Sequence, residues 1–339
     1  MTIGNTTVPH GLMLAPMAGI TDRTMRLICS ENGAEYAVTE MVSAKALVYE
    51  QLSRPSAPVR TADLCVISGG EAPASVQIFG SEPEFLAEAA KLISTCSYRG
   101  FRGVKPAAVD INMGCPVKKV AGNGEGSALM KDPEKIFRIV EAVSAASVLP
   151  VTVKIRAGWD SDSINAAQCA SAAEKGGAAA VCVHARTRTQ FYRPGIMTEV
   201  IGQVKAAVGI PVFGNGDITA PEDAVSMMRS TGCDGVAVAR GAVGNPFIFR
   251  RIAAAIDGRD DIPPSDEEIL RTVLRQLDLT VADKGEHRGL CEVRFSLAAY
   301  LSGRRGASSA RDRLMTSDSY TEVRALLTDF FGGSTAANH

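Results

Sequence analysis

The sequence predicts a (β/α)8 TIM barrel, an α/β fold, followed by a small C-terminal all-helical domain. Three observations carry that expectation. Eight short apolar runs of β type alternate with helical patterns over about 250 residues, which is the strand count and length of such a barrel. Several of the runs are apolar at nearly every position, as strands are when both faces of a parallel sheet are covered. After about residue 258 the alternation stops, and the polar, proline-containing stretch GRDDIPPSDEE leads into helical sequence with no convincing strand. The expected division is 1–258 for the barrel and 259–339 for the helical domain with its linker and a frayed tail, GGSTAANH. A doubly wound open sheet is the alternative. Against it, there is no strand–GxGxxG–helix unit with an acidic residue about 20 positions later.

The expected strands are 12–15 (LMLA), 36–40 (YAVTE), 76–79 (VQIF), 108–112 (AVDIN), 151–155 (VTVKI), 180–185 (AVCVHA), 211–215 (PVFGN) and 235–240 (GVAVAR). Between them, helical patterns cover 22–32, 82–93, 132–146, 164–175, 197–208 and 220–230. Asp132-Pro133 and Ala220-Pro221 place proline in a first helical turn, and Gly33, Gly176 and Gly209 follow helix ends.

The composition narrows the function classes. The chain has 339 residues and a net charge of −1, so the molecule as a whole is no generic polyanion binder, and any nucleic-acid surface must be a local patch. Hydrophobic content of 46% and charged content of 22% are those of a soluble globular protein. No apolar stretch approaches the roughly 18 residues of a membrane span. The N-terminus lacks the basic-then-apolar layout of a secretory signal. None of the 8 cysteines forms a CxxC pair, so neither a zinc knuckle nor an iron–sulfur site is expected. A reduced, cytoplasmic protein without a metal is the expectation, as a monomer.

A barrel gathers the C-terminal ends of its strands around one opening. Read in order, those ends carry Pro16, Met17 and Ala18; Glu40; Gln77; Asp110, Asn112 and Cys115; Lys154 and Arg156; His184; Asn215, Gly216 and Asp217; and Arg240 with Gly241. A lone cysteine is ordinarily a small core residue. Cys115 differs, because Gly114 precedes it, Pro116 follows, and Lys118 and Lys119 are close in sequence. At the seventh and eighth ends, GNGDI and ARGAVGNP supply glycine turns whose backbone N–H groups can meet a phosphate. Arg240 can add a charge-assisted contact. Lys154 and Gln77 suit a planar ring system beside that phosphate. Flavin mononucleotide (FMN) fits both features, whereas a sugar phosphate leaves Gln77 and the thiol without a use.

The tail adds a basic patch. Arg288, Arg294, Arg304, Arg305, Arg311 and Arg313 face only Glu292 and Asp312 in the stretch 288–313. Alone, such a run reads as a solvated helix face. Beside an active site for a nucleic acid, it reads as a phosphate-contacting surface.

The ordered runs LAPMAGITDRTMR, TEMVSAKAL, VQIFGSEPE, VDINMGCPVKKV, GNGEGSALMKDP, VTVKIRAGWD, VHARTRTQFYRPG, PVFGNGDI and GCDGVAVARGAVGNPFIF resemble the tRNA-dihydrouridine synthases, most closely the bacterial DusB (NifR3-like) branch. Together they span roughly 12–250, and the tail resembles the family's helical RNA-binding domain less specifically. The resemblance implies an FMN-dependent enzyme that reduces a uridine in tRNA to 5,6-dihydrouridine with electrons from NADPH. It implies FMN contacts from Pro16, Met17, Ala18, Gln77, Lys154, His184, Asn215, Gly216, Asp217, Ala239 and Arg240. It makes Cys115 the catalytic acid and Asn112 a holder of the uracil edge. Arg186, Arg188 and Arg193, with Arg304 and Arg305 of the tail, become candidates for RNA phosphate contacts. VAGNGEGSALM is read as a mobile lid over the mouth. Two departures stand out: Ala239 replaces the usual glycine before the arginine, and the segments 64–74 and 97–107 are longer than usual. The competing readings are an FMN barrel that reduces a small pyrimidine or enone, and a non-enzymatic RNA-binding module.

Overall fold

The computed structural model describes residues 1–54, 58–191 and 193–332. Eight parallel strands close into a barrel: β1 (Leu12–Leu14), β2 (Tyr36–Val38), β3 (Ala74–Phe79), β4 (Ala108–Met113), β5 (Val151–Arg156), β6 (Ala180–His184), β7 (Val212–Asn215) and β8 (Gly235–Val238). β2 pairs with β3 and β8 pairs with β1, so the ring has no open end. The connecting helices are α1 (Arg23–Glu31), α2 (Ala44–Leu52), α3 (Pro83–Ser94), α4 (Pro133–Ala146), α5 (Ala166–Lys175), α6 (Thr198–Ala207), α7 (Pro221–Thr231) and α8 (Ile248–Ile256). The expected strands and helices differ from these by at most two residues at either end. Of the barrel helices, α2 and α8 had no sequence counterpart.

Strand periodicity explains the two-sided burial. In β4, Val109 and Ile111 pack outward under the helices, while Asp110 and Asn112 alternate with them toward the barrel axis. The lower interior is apolar, with Met13, Tyr36, Cys182, Phe213 and Ala237 in one cluster. Ile3 and Val8 join it from a short N-terminal hairpin, Thr2–Ile3 against Thr6–Thr7. That hairpin stoppers the barrel from below. Two-residue strands carry no period, so the sequence gives no signal for it.

Helix ends follow side-chain chemistry. Asp22 accepts from the Met25 N–H and Asp132 from the Lys135 N–H, and proline opens both α4 and α7. Gly232 closes α7 in the left-handed conformation.

Beyond α8, four helices follow: α9 (Asp266–Lys284), α10 (Glu286–Tyr300), α11 (Ala307–Thr316) and α12 (Tyr320–Gly332). They enclose a separate core that includes Val273, Leu297, Leu314 and Leu327, into which Phe247 inserts from the start of α8. Ser265 and Glu268 form a capping box at α9. The helices seat on the mouth end of the barrel. Lys284 pairs with Asp22 and Arg23 with Asp283, both in or beside the turn after β1. At Gly244, after β8, an added Cβ would stand 2.5 Å from the Ala299 backbone, so only glycine permits that approach. The frayed tail expected at the C-terminus lies, apart from its first glycine, outside the described residues. Among the described residues, no helix is long and apolar enough to cross a membrane.

Candidate active site

The mouth is built from the turns that follow the strands. After β4 the chain turns through Gly114 and Cys115, and each polar group of that turn is tied down. Asn112 Oδ1 accepts the Cys115 N–H at 2.9 Å and the Gly114 N–H at 3.2 Å. The Gly114 carbonyl accepts from Arg156 Nε at 2.7 Å, and the same guanidinium reaches the Thr187 carbonyl at 3.0 Å. The Cys115 carbonyl accepts the Ser127 N–H at 3.1 Å. Cys115 itself is half-buried, and burial raises its thiol above the ordinary 9.0, opposed by the Val117 N–H and Arg156. It is a protonated thiol at neutral pH.

The expected mobile lid is not a free flap. Gly126–Lys131 forms a 3-10 turn whose Gly126, Ser127, Leu129 and Met130 are buried. An added Cβ at Gly126 would lie 3.0 Å from both Cβ and O of Cys115. A glycine-rich sequence suggested mobility. Here the glycine serves close packing beneath the cysteine, and only 122–123 of the loop are fully exposed.

Beside the cysteine turn, Lys154 Nζ donates to Asn215 Oδ1 at 3.0 Å, and Asn215 Nδ2 donates to the Ala237 carbonyl at 2.7 Å. Burial lowers the Lys154 ammonium, with Arg156 acting in the same direction. Burial holds His184 well below its ordinary value, reinforced by Lys154, Arg156, Arg186 and Arg240, so its imidazole is neutral.

At the seventh and eighth turns, Gly216 has φ 143° and Asp217 φ 47°. The Asp217 carboxylate bridges Arg186 at 2.5 Å and Arg240 at 3.1 Å. Gly216 is buried, yet neither its N–H nor that of Asp217 donates to a protein acceptor among the described residues. Buried backbone donors require partners. The buried Gly216 N–H and the exposed Asp217 N–H, beside an arginine that is 57% exposed, fit an anionic group, and the lysine and neutral histidine next to them fit a polar ring edge. The donor set therefore fits a phosphate-bearing ring cofactor. Pro16 and Met17 are half-buried and Ala18 is exposed on the turn after β1, beside Ala239 on the turn after β8.

Not every expected site residue reaches the surface of the mouth. Gln77 is 1% exposed, and its amide is engaged by Asp110 at 2.7 Å and Asn112 at 2.8 Å, leaving one N–H uncommitted. Arg186 is buried and held by Asp217 and the Arg193 carbonyl, so it ties two loops together and does not project to solvent. Arg188 lies over the Trp159 ring, which Lys131 also covers. Arg304 pairs with Asp266 at 2.7 Å and stacks on Phe331, whereas Arg305 is exposed and has no ion pair among the described residues. Two of the six arginines in the basic patch pair with acids outside 288–313, Arg294 with Asp318 and Arg304 with Asp266. Arg156 and Ser127 emerge as supports of the cysteine turn. For Arg156 the signal was its place at a strand end; for Ser127 no sequence signal exists. Among the described residues, no cluster of His, Cys, Asp or Glu could hold a metal ion.

The chain is similar to known proteins over nearly its whole length. The chain is 36% identical over 338 residues to a probable tRNA-dihydrouridine synthase of Treponema pallidum, covering 97% of this chain and 95% of the relative. It is 40% identical over 326 residues to tRNA-dihydrouridine synthase B of Pseudomonas aeruginosa, covering 93% and 92%. Among solved structures, an old yellow enzyme homologue from Zymomonas mobilis shares the fold, with a TM-score of 0.50 at 12% identity over 79% of this chain and 94% of that one. Histamine dehydrogenase from Rhizobium sp. 4-9 gives a TM-score of 0.54 at 14% identity, over 82% of this chain and 50% of that one. The family described as Dihydrouridine synthase (Dus) matches residues 13–332, and with relatives of 36% and 40% identity covered nearly end to end, the chain belongs to that family of oxidoreductases.

Proposed function

We propose that this chain reduces the C5=C6 bond of a uridine in tRNA to 5,6-dihydrouridine, with FMN in the mouth and NADPH as electron source. The observation that carries the reading is Cys115: a protonated thiol on an immobilised turn, beside Lys154, a neutral His184 and unpaired backbone donors. FMN, when bound, supplies the hydride that uracil C6 receives. Gly216, Asp217, Ala239 and Arg240 would hold its phosphate. Lys154, His184 and Asn215 would hold the polar edge of its ring, and Pro16, Met17, Ala18 and Gln77 the remainder.

Cys115 Sγ gives its proton to C5; the S–H bond breaks as the C5–H bond forms, and the thiolate left behind is reprotonated from water. Arg156 and the Val117 N–H, which oppose the burial effect on Sγ, ease that transient charge. The target base leaves its stack to reach the turn. Arg305 and Arg313, exposed and unpaired among the described residues, and Arg193 are the arginines placed to meet RNA phosphates. All eight cysteines are free thiols, which supports a reduced, cytoplasmic setting, and we expect a monomer.

Cys115→Ala tests the reading. It should keep its flavin and its NADPH oxidation while dihydrouridine formation on unmodified tRNA falls by about 10²–10⁴-fold. Wild-type product formation would refute the acid assignment. A wild-type protein that stays colourless after incubation with FMN would refute the flavin.

A further inference from the structure

Asp110 has no part in the chemistry above, although it lies in the barrel interior one tier below Cys115. It is 3% exposed, and burial raises its carboxyl above the ordinary value. Its two oxygens accept from Thr152 Oγ1 at 2.6 Å and Gln77 Nε2 at 2.7 Å. Gln77 Oε1 accepts from Asn112 Nδ2 at 2.8 Å, and Asn112 Oδ1 accepts the N–H groups of Gly114 and Cys115. The chain therefore has two fixed ends. At the top, backbone N–H groups can be met only by an oxygen. At the bottom, a carboxylate that already takes the Thr152 hydroxyl asks for an N–H. Both amides between them are forced into one orientation, with no alternative flip that keeps every bond.

This leaves Asn112 with one open valence, an N–H, because both lone-pair directions of its oxygen are taken. Asn112 also caps the turn that carries Cys115, so it stands on the C5 side of any uracil placed for protonation there. In that ring C4 is bonded to C5, whereas C2 lies across the ring. The carbonyl nearest Asn112 is thus O4. Cytosine carries an amino donor at that position, and two donors cannot pair.

We infer that Asp110 is a positioning residue that fixes the amide polarity of Asn112, so that Asn112 turns an N–H toward the C4 carbonyl of uracil and rejects cytosine. This rests on the uridine-reducing activity proposed above.

A double-mutant cycle on the flavin-loaded protein tests it. Asn112→Asp puts an acceptor-only group opposite the Gln77 oxygen, and its folded-to-unfolded ratio in urea should fall about 10- to 100-fold. Adding Asp110→Asn lets Gln77 turn over and every bond re-form, so stability should recover. The recovered double variant then faces the pyrimidine with an oxygen, and dihydrouridine formation should stay at least about 100-fold down. The cycle is repeated with Gln77→Met, which breaks the relay but leaves the two side chains at 110 and 112 in place. Coupling that vanishes with Gln77→Met supports the relay. Coupling that survives is carboxylate repulsion and overturns it, as does Asn112→Asp alone being no less stable than the double variant. A double variant that reduces uridine at the wild-type rate overturns the donor assignment. Wild-type protein that makes no dihydrouridine would refute the proposed activity instead, and the stability cycle still decides the relay.

Discussion

Gly126 and Gly124 offer a paired experiment on how tightly the cysteine turn is held. Both lie in the loop after Cys115 with positive φ, 57° and 76°, so alanine at either costs about 1–2 kcal/mol in backbone strain. They differ in surroundings. A Cβ at 124 meets nothing within 4 Å, whereas at 126 it lies 3.0 Å from Cβ and O of Cys115 and 3.1 Å from Val120 Cγ1. The Cys115 carbonyl cannot simply rotate away, because the Ser127 N–H donates to it. Relief requires Cys115 to move by roughly 0.5 Å, on the scale where a 1 Å misplacement costs about 10²-fold in rate. Gly126→Ala should therefore form dihydrouridine about tenfold more slowly than Gly124→Ala, at equal flavin content. Its stability should be lower by a further 1 kcal/mol or so from overpacking. Urea denaturation and single-turnover product formation on unmodified tRNA measure both. Equal rates in the two variants would show that contact at 126 does not set the position of the thiol.

The raised thiol of Cys115 predicts product formation that is flat through neutral pH and falls only in the alkaline range. A single-turnover pH profile with a falling limb already below about pH 8 would contradict a protonated donor. Arg305→Glu should weaken tRNA binding with a reduced salt slope and unchanged melting, while Arg304→Glu should lower stability by losing Asp266 and the Phe331 ring. Unaltered tRNA affinity in Arg305→Glu would remove that surface from the interface. His10, raised from 6.5 chiefly by its hydrogen bond to Glu35 and also by Asp257, links the N-terminal segment to the end of α8. Its stabilisation is complete below the ordinary histidine value and is lost as pH rises through the raised one. The loss should be about 1 kcal/mol or less and absent in His10→Gln, read as the urea midpoint against pH.

The barrel was legible because a parallel strand covered on both faces is largely apolar, as the runs at 151–155 and 180–185 are. The strand ends were legible from the charged or polar residue near the C-terminal end of such a run, Lys154 in 151–155 or His184 in 180–185, which marks the mouth. What the sequence could not carry was partnership. Arg186 and Arg304 look like free positive charges in a string of letters. Their acids, Asp217 and Asp266, are 31 and 38 positions away, and folding turns both arginines into internal ties. Helix α2 was missed because it buries only Ala44, Leu47 and the polar Glu50. The Glu50 carboxylate is occupied by the N–H groups of Arg60, Thr61 and Ala62, so a position that reads as solvent-facing is structural.

The cysteines show the same limit from the other side, because residue type alone does not separate them. Cys182 faces the barrel axis just as a reactive residue would, two positions before His184 and beside Lys154, yet it lies inside the apolar lower cluster and its thiol is pushed up to about 11. Cys115 stands above the strand, where the turn leaves it partly exposed and Arg156 is close. The polar tier of Asp110, Gln77, Asn112 and Thr152 is hydrogen-bonded within itself apart from one N–H each of Gln77 and Asn112, and each bond there contributes only about 1 kcal/mol net. A well-packed apolar tier could be as stable. Stability therefore does not explain a polar tier in the middle of a barrel whose floor is apolar. Orientation does, since hydrogen bonds have direction and aliphatic contacts have none. The interior then divides by height: an apolar floor that stoppers the barrel, a polar tier that sets which atoms point upward, and above it the thiol that uses the geometry.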